Sequence, residues 1–401
     1  MLNINKNLTT YVITTILSRS GVQIQQIAIV LYLLHIGGTA STLSLYFIAS
    51  FIPSIIMGPL GGVIADRIPP KRVLQVTYIA RAILLLFVPL IPSVWGFYLF
   101  SFCFSIIDVF MRPSLGTLLP KIAEERNLTA IISYVSTSRS IIDTAVPIIG
   151  ASIVYFIGYD FVFYATALLY FFSFVGVSAL RVKHQPDPVI KKRESISSDI
   201  KDGFKYIFSA DKTKTILIVA SFMMFLSSGI KVLLPIHVLN YMGFPEFSFG
   251  LVVGTIGLGL TAGGLLIPKI KKNFTISQIL CFAILLDGIS IVAFALSSKV
   301  LGVFLIIMFI FGLASSSYAI MIDNYIQLKT EKNYLGRVYA TYFTTINIVS
   351  SIGVILAGYM TEITNTRIVF LFCGIGILGI AIYFGKKQIL KEKAIDYKVV
   401  S

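Results

Sequence analysis

Charge is scarce in this chain. Only 13% of its 401 residues are Asp, Glu, Lys or Arg, while 56% are hydrophobic and the mean hydropathy is +0.89. A soluble domain carries about 25% charged residues. That deficit, with apolar runs of 20 or more residues recurring along the chain, excludes a soluble globular protein. Cysteine is scarcer still: Cys103, Cys281 and Cys373 lie far apart inside apolar runs, without metal-ligand spacing. They are expected to be free, packed thiols, not a disulfide framework or a metal site. Histidine is limited to His35, His184 and His237, equally scattered. No Gly-Lys-Ser/Thr phosphate loop is present, which excludes ATP as the energy source of this chain. No nucleophile–base pair or metal-ligand cluster falls at membrane depth, so no enzyme, catalytic residue or cofactor is expected. The first apolar run continues long past its start with no small-residue cleavage site, and is expected to stay as a helix, not leave as a signal peptide.

What the chain has is helix-length apolar segments. Candidate helices cover 10–34, 41–65, 73–91, 95–119, 129–157, 160–181, 214–241, 247–270, 275–297, 300–326, 336–361 and 366–386. Many exceed the roughly 20 residues that span a bilayer core. In lipid every backbone N–H and C=O must be satisfied internally, which leaves helices or closed barrels. The runs are continuously apolar where a barrel strand would alternate, so a barrel is excluded. The expected fold is an all-α polytopic membrane protein of twelve transmembrane helices.

The net charge of +15 resembles a nucleic-acid signal, but its distribution excludes a nucleic-acid partner. With the N-terminus inside, 26 Lys and Arg fall in cytoplasmic segments and two, Lys299 and Arg367, outside. By the positive-inside rule both termini are cytoplasmic, as in a bacterial inner-membrane protein. The single tryptophan, Trp95, falls at the expected outer interface, where its ring is favoured.

The longest polar stretch, 182–213, bisects the chain. Residues 1–181 form an expected N-terminal six-helix bundle, 214–386 a C-terminal one, and 387–401 a cytoplasmic tail. Within the linker Ile196, Ile200, Phe204 and Ile207 share a helical face, the pattern of an amphipathic helix on the inner membrane surface. The halves resemble each other: GGVIADRIPPKR at 61–72 corresponds to GGLLIPKIKK at 263–272, and VPIIGASI at 146–153 to VILAGYMT at 354–361. Six helices per half is even, so the repeats are parallel, related by an axis along the membrane normal.

On these residues the chain resembles a major facilitator superfamily transporter. More narrowly it is similar to the drug:proton antiporter branch that includes macrolide-efflux proteins and the enterobactin exporter. The loop after helix 2 follows the superfamily signature through Gly62, Ile64, Ala65, Asp66, Arg67 and Lys71, with Pro69 and Pro70 replacing its second Gly and following Arg. Arg81 stands where the branch carries an arginine in helix 3. Pro113–Pro120 with Glu125, Arg126 and Asn127 is similar to its helix 4–5 connection, and Gly336, Arg337, Val338, Gly353 and Gly358 to its helix 11. Pro147 and Gly150 retain part of the exporters' helix 5 motif. The acid of the branch's Gly-Asp pair in helix 1 is replaced, as Gly21-Val22. The resemblance implies the major facilitator fold, two six-helix bundles around a central cavity with alternating access, working as a monomer.

Nine charges lie inside the spans: Arg19, Arg81, Asp108, Arg112, Arg139, Asp143, Lys231, Asp287 and Asp323. Asp323 lies close to the inner end and can reach water, and the others are expected to face a partner, as in a structural salt bridge, or a cavity. Asp108 and Arg112 share a face of helix 4, as Arg139 and Asp143 do of helix 5. At about 1.5 Å rise per residue the two sets match in depth, and they are expected to form one neutral cluster, either a structural brace or a proton-coupling site. In helix 1, Arg19, Gln23 and Gln26 make a polar stripe. Helices 1, 4, 7 and 10 line the cavity in the superfamily, which marks this stripe, Lys231 and Tyr318 as substrate-binding candidates. The Gly62, Asp66, Arg67, Lys71, Arg72 loop is expected to hold the inner face closed as a gate; orientation by positive charge alone is the alternative, which Asp66 does not serve because acids contribute little to topology.

The expected function is secondary active export of a small amphipathic molecule, a drug such as a macrolide or a siderophore-like metabolite, driven by protons. The alternative on the same fold is an importer or facilitator. A receptor or a lipid-modifying enzyme is the alternative from a different class.

Overall fold

The computed structural model describes residues 6–122, 125–182, 211–297, 299–331 and 334–400. Twelve long helices account for most of them: α1 (Lys6–His35), α2 (Ala40–Arg67), α3 (Pro70–Phe87), α4 (Val94–Ile122), α5 (Glu125–Phe156), α6 (Tyr159–Ala179), α7 (Asp211–Ser228), α8 (Glu246–Ile270), α9 (Ile276–Leu296), α10 (Leu301–Lys329), α11 (Leu335–Ile363) and α12 (Thr366–Val400). Among the described residues there is no strand. Eleven helical spans are long and apolar enough to cross a membrane. The helix outside that set is α1. Its 30 residues suffice in length, but Arg19, Gln23, Gln25 and Gln26 dilute its apolar character. Large apolar side chains stand outward along the helices, among them Trp95 at 77%, Leu265 at 71% and Phe372 at 70% exposed. In water such a surface would be an aggregation hazard; against acyl chains it is the solvent-matched surface.

The chain divides into two compact units, one holding the first six helices with Phe244–Gly254, the other Thr255 onward together with α7 and the turn after it. Both use the same pairings. In the first unit α1 packs on α5, α3 on α4 and on α6. In the second, α7 packs on α11, and α9 on α10 and on α12. Adding six to each helix number of the first set gives the second, the signature of a parallel repeat. Tight turns repeat too: Gly37 after α1 and Gly243 before α8 both take positive φ, 86° and 73°, where a Cβ would be strained.

Local chemistry explains the breaks. The seventh span is not one helix: α7 ends at Ser228, a short helix Ile230–Ile236 follows, and a π-turn His237–Tyr241 closes it. Pro235 within this stretch offers no N–H to the ladder. The start of α9 is fixed by a capping box, with Thr275 Oγ1 accepting from Gln278 N at 3.3 Å and Gln278 Oε1 accepting from Thr275 N at 3.0 Å. The last helix runs on to Val400, where the sequence suggested a tail from 387. The amphipathic face expected in the linker, Ile196 to Ile207, lies outside the described residues.

Candidate functional site

Three helices of the first unit, α1, α4 and α5, line a half-open cavity of about 590 Å³. Its walls mix apolar groups (Val12, Ile16, Val22, Met111, Leu115, Ile142) with Tyr11, Thr15 and Ser18 and four charged side chains: Arg19, Asp108, Arg112 and Arg139.

Two ion-pair systems organise these charges. On one side, Arg19 of α1 clamps Asp143 of α5 with both ends of its guanidinium: Nε donates to Oδ1 at 2.7 Å and Nη2 to Oδ2 at 2.6 Å. Gln23, one turn further along α1, donates through Nε2 to the same Oδ1 at 2.8 Å. The carboxylate therefore accepts three hydrogen bonds from one helix, a charge-assisted bidentate arrangement. On the other side, Arg81 of α3 is wholly buried and ion-pairs with Asp108 of α4. Its Nη1 donates to Tyr170 Oη at 3.0 Å, and Tyr170 donates to Gln25 Oε1 at 3.4 Å. The guanidinium lies 4.3 Å from the Phe104 ring centroid, a cation–π contact that helps a buried cation bear its desolvation. Arg112 approaches the far oxygen of Asp108 at 3.6 Å, one helical turn away and mostly exposed.

The four charges grouped by spacing do not make one cluster. Asp143 takes its cation from Arg19, and Asp108 from Arg81 and Arg112. Arg139 is exposed on the cavity wall, and no carboxylate pairs with it among the described residues. The physical reason is directional. A same-helix pair at i, i+4 meets edge-on, whereas Arg19 arrives from a facing helix and can present two parallel N–H groups.

The other sequence candidates are dispersed. Gln23 is engaged on Asp143 and Gln26 is exposed, and neither lines the cavity. Lys231 is exposed on the short helix Ile230–Ile236. Tyr318 is buried, with no hydrogen-bond partner for its hydroxyl. In the gate loop, Gly62, Asp66 and Arg67 close α2 with side chains outside the description. Lys71 Nζ donates to the Leu180 carbonyl at 2.7 Å, and Arg72 is exposed. Pro147 and Gly150 are buried in α5, and a Cβ at Gly150 would stand 3.3 Å from the Ile24 Cα, so this glycine sets the closeness of α1 and α5.

Sequence reasoning missed several groups. Gln25, Phe104 and Tyr170 complete the Arg81 site, and only Gln25, a polar residue in an apolar run, carried a signal. In the second unit Asp287 was named among the charges of the spans but its partner was not: it is almost wholly buried and accepts from Ser315 Oγ at 2.7 Å. Wholly buried His237 shares a 2.8 Å hydrogen bond with Thr366 Oγ1 and is boxed by Tyr241, Phe294, Phe304 and Phe370.

Membrane-spanning helices arranged as two repeats, one holding a charged, partly apolar cavity, define a polytopic membrane transporter. Residues 5–400 match the transmembrane secretion effector family of major facilitator transporters, and the chain belongs to it. It is 24% identical over 366 residues to macrolide efflux protein A of Streptococcus pyogenes, covering 90% of each chain. To the MFS-type transporter YfiS of Bacillus subtilis (strain 168) it is 23% identical, over 86% of this chain and 84% of that one. Its fold matches the nucleoside transporter NupG with a TM-score of 0.78 at 15% identity, over 95% of this chain and 99% of that one. Fold and relatives are those of transporters of small molecules, not of enzymes.

Proposed function

We propose that this protein exports a small amphipathic molecule across a bacterial inner membrane by alternating access, in exchange for protons. The cavity carries the reading: about 590 Å³ suits a drug-sized ligand, and apolar walls with a few charged groups are what an amphipathic one needs. The similarity to an efflux protein supports the outward direction. Both termini are proposed to be cytoplasmic, on the strength of the 26-to-2 distribution of basic residues.

The proposed coupling acids are Asp143 and Asp108, each holding an arginine. A proton on Asp143 would remove the charge that Arg19 and Gln23 grip, loosening α1 from α5. Such a protonation-dependent contact is the kind of bistable element that alternating access requires. The Asp66–Arg72 segment is the proposed inner gate. The test is accumulation of labelled macrolide and other amphipathic compounds in cells with and without the protein, repeated with an uncoupler. Lower accumulation that the uncoupler reverses supports export driven by protons. Equal accumulation throughout the panel removes that reading.

A further inference from the structure

The cavity carries more positive charge than its ion pairs consume. Four guanidiniums, from Arg19, Arg81, Arg112 and Arg139, stand in or directly behind its wall, against two carboxylates, Asp108 and Asp143. Each carboxylate has its own arginine from another helix, Asp143 that of Arg19 and Asp108 that of buried Arg81. Two cations are left over. Arg112 has only the longer 3.6 Å approach to an oxygen system already held by Arg81, and its side chain is 76% exposed. Arg139 lines the same cavity from α5 without a carboxylate among the described residues. The walls around them are partly aliphatic, through Val12, Ile16, Met111, Leu115 and Ile142, and carry the hydroxyls of Tyr11, Thr15 and Ser18 as well.

We infer that the ligand of this cavity is an organic anion, an acidic group on an apolar body, with Arg112 and Arg139 binding the acid. The inference deepens the export reading and rests on it for the ligand's passage, but not for its binding. Two guanidiniums lining one cavity offer forked donors that match a carboxylate, sulfonate or phosphate. On one cavity wall they favour an anion over a cation, by a margin that salt reduces because both side chains are exposed. Aliphatic walls take the body by exclusion of water. A cationic amphiphile would need a carboxylate to meet it, and both are already occupied by arginines. Discrimination by a repulsive charge as well as an attractive one is an economical route to specificity.

The experiment uses two xanthene dyes of similar shape and opposite charge, fluorescein and rhodamine 123, with purified full-length protein in phosphatidylcholine nanodiscs. Binding is read by fluorescence anisotropy. Fluorescein is expected to bind and rhodamine 123 to bind far more weakly. Arg112→Gln and Arg139→Gln should each weaken fluorescein by about tenfold, the scale of one charged hydrogen bond. The double variant Arg112→Glu/Arg139→Glu should reverse the preference. Fluorescein binding that is absent, or unaltered in the Gln variants while rhodamine 123 binds, overturns the inference. An anionic lipid headgroup presents the same chemistry, so the titration is repeated with phosphatidylglycerol in the nanodiscs. Unchanged fluorescein affinity supports a soluble anion, and loss of binding assigns the site to lipid and overturns it. Dye movement in sealed vesicles is scored separately. Rhodamine 123 export without fluorescein export sinks the anion reading and leaves transport standing, whereas arginine-dependent fluorescein binding with no movement of either dye does the reverse.

Discussion

Arg19 and Asp143 are joined side by side, Nε to Oδ1 at 2.7 Å and Nη2 to Oδ2 at 2.6 Å, across the contact between the first and fifth helices. Each is about one-third exposed, and Arg19 lines the cavity, so the pair is tight in geometry yet reachable by water. Neutralising one partner leaves the other charge uncompensated at membrane depth, while neutralising both does not. Arg19→Gln and Asp143→Asn should each lower the yield of monodisperse protein on size exclusion, and the double variant should recover it. In transport, Asp143→Asn is expected to flatten the pH profile of export. A single variant with parental yield and an unchanged pH profile removes Asp143 from coupling.

Arg81 and Arg112 both approach Asp108, from opposite ends of the exposure scale, 0% against 76%. Breaking a buried ion pair by removing one partner costs about 3–5 kcal/mol, whereas an exposed pair contributes about 0–1 kcal/mol. Arg81→Leu should therefore lower the apparent melting temperature in detergent sharply, and Arg112→Leu hardly at all. Equal shifts would show that Asp108 does not depend on the buried arginine.

Asp66→Asn should insert and fold as the parent does and lose most export, because the variant keeps the size of the side chain and removes the charge a gate contact needs. Full export by a well-expressed Asp66→Asn protein would leave the loop with an orienting role only.

Topology is checked with an impermeant thiol reagent on intact cells, after Cys103, Cys281 and Cys373 are replaced. Cysteines at 95 and 299 should label from outside, and cysteines between 182 and 213 only after the cells are opened. External labelling of the 182–213 segment would invert the proposed orientation.

Most helices were legible because they are long apolar runs, and their ends fall within a few residues of the apolar boundaries, except that α12 runs on through polar residues to Val400. The break of the seventh span was less so: Pro235 is visible in the sequence, but a π-turn needs the aromatic packing around His237, which comes from three other helices. The charged residues of the cavity could be named from sequence, but their partners could not. Spacing pairs neighbours on one helix, and it matched Arg139 with Asp143, whereas the fold brings Arg19 across 124 residues to that carboxylate. Ser315 beneath Asp287 was hidden for the same reason, since a serine in an apolar helix reads as a backbone-bonded residue until its neighbour is known.

The burial of Arg81 against Asp108 also bears on how the chain is made. Each sits in the middle of its span, in Pro70–Leu90 and in Val94–Leu119. Alone at the bilayer centre either charge costs about 2.5–3.5 kcal/mol on the insertion scale. These two spans are consecutive in synthesis, with only a short turn between them. Entering lipid together as a neutral hairpin would spare both charges a passage past acyl chains as bare ions. The contact that braces the folded helices would then also ease the joint entry of the third and fourth helices into the bilayer.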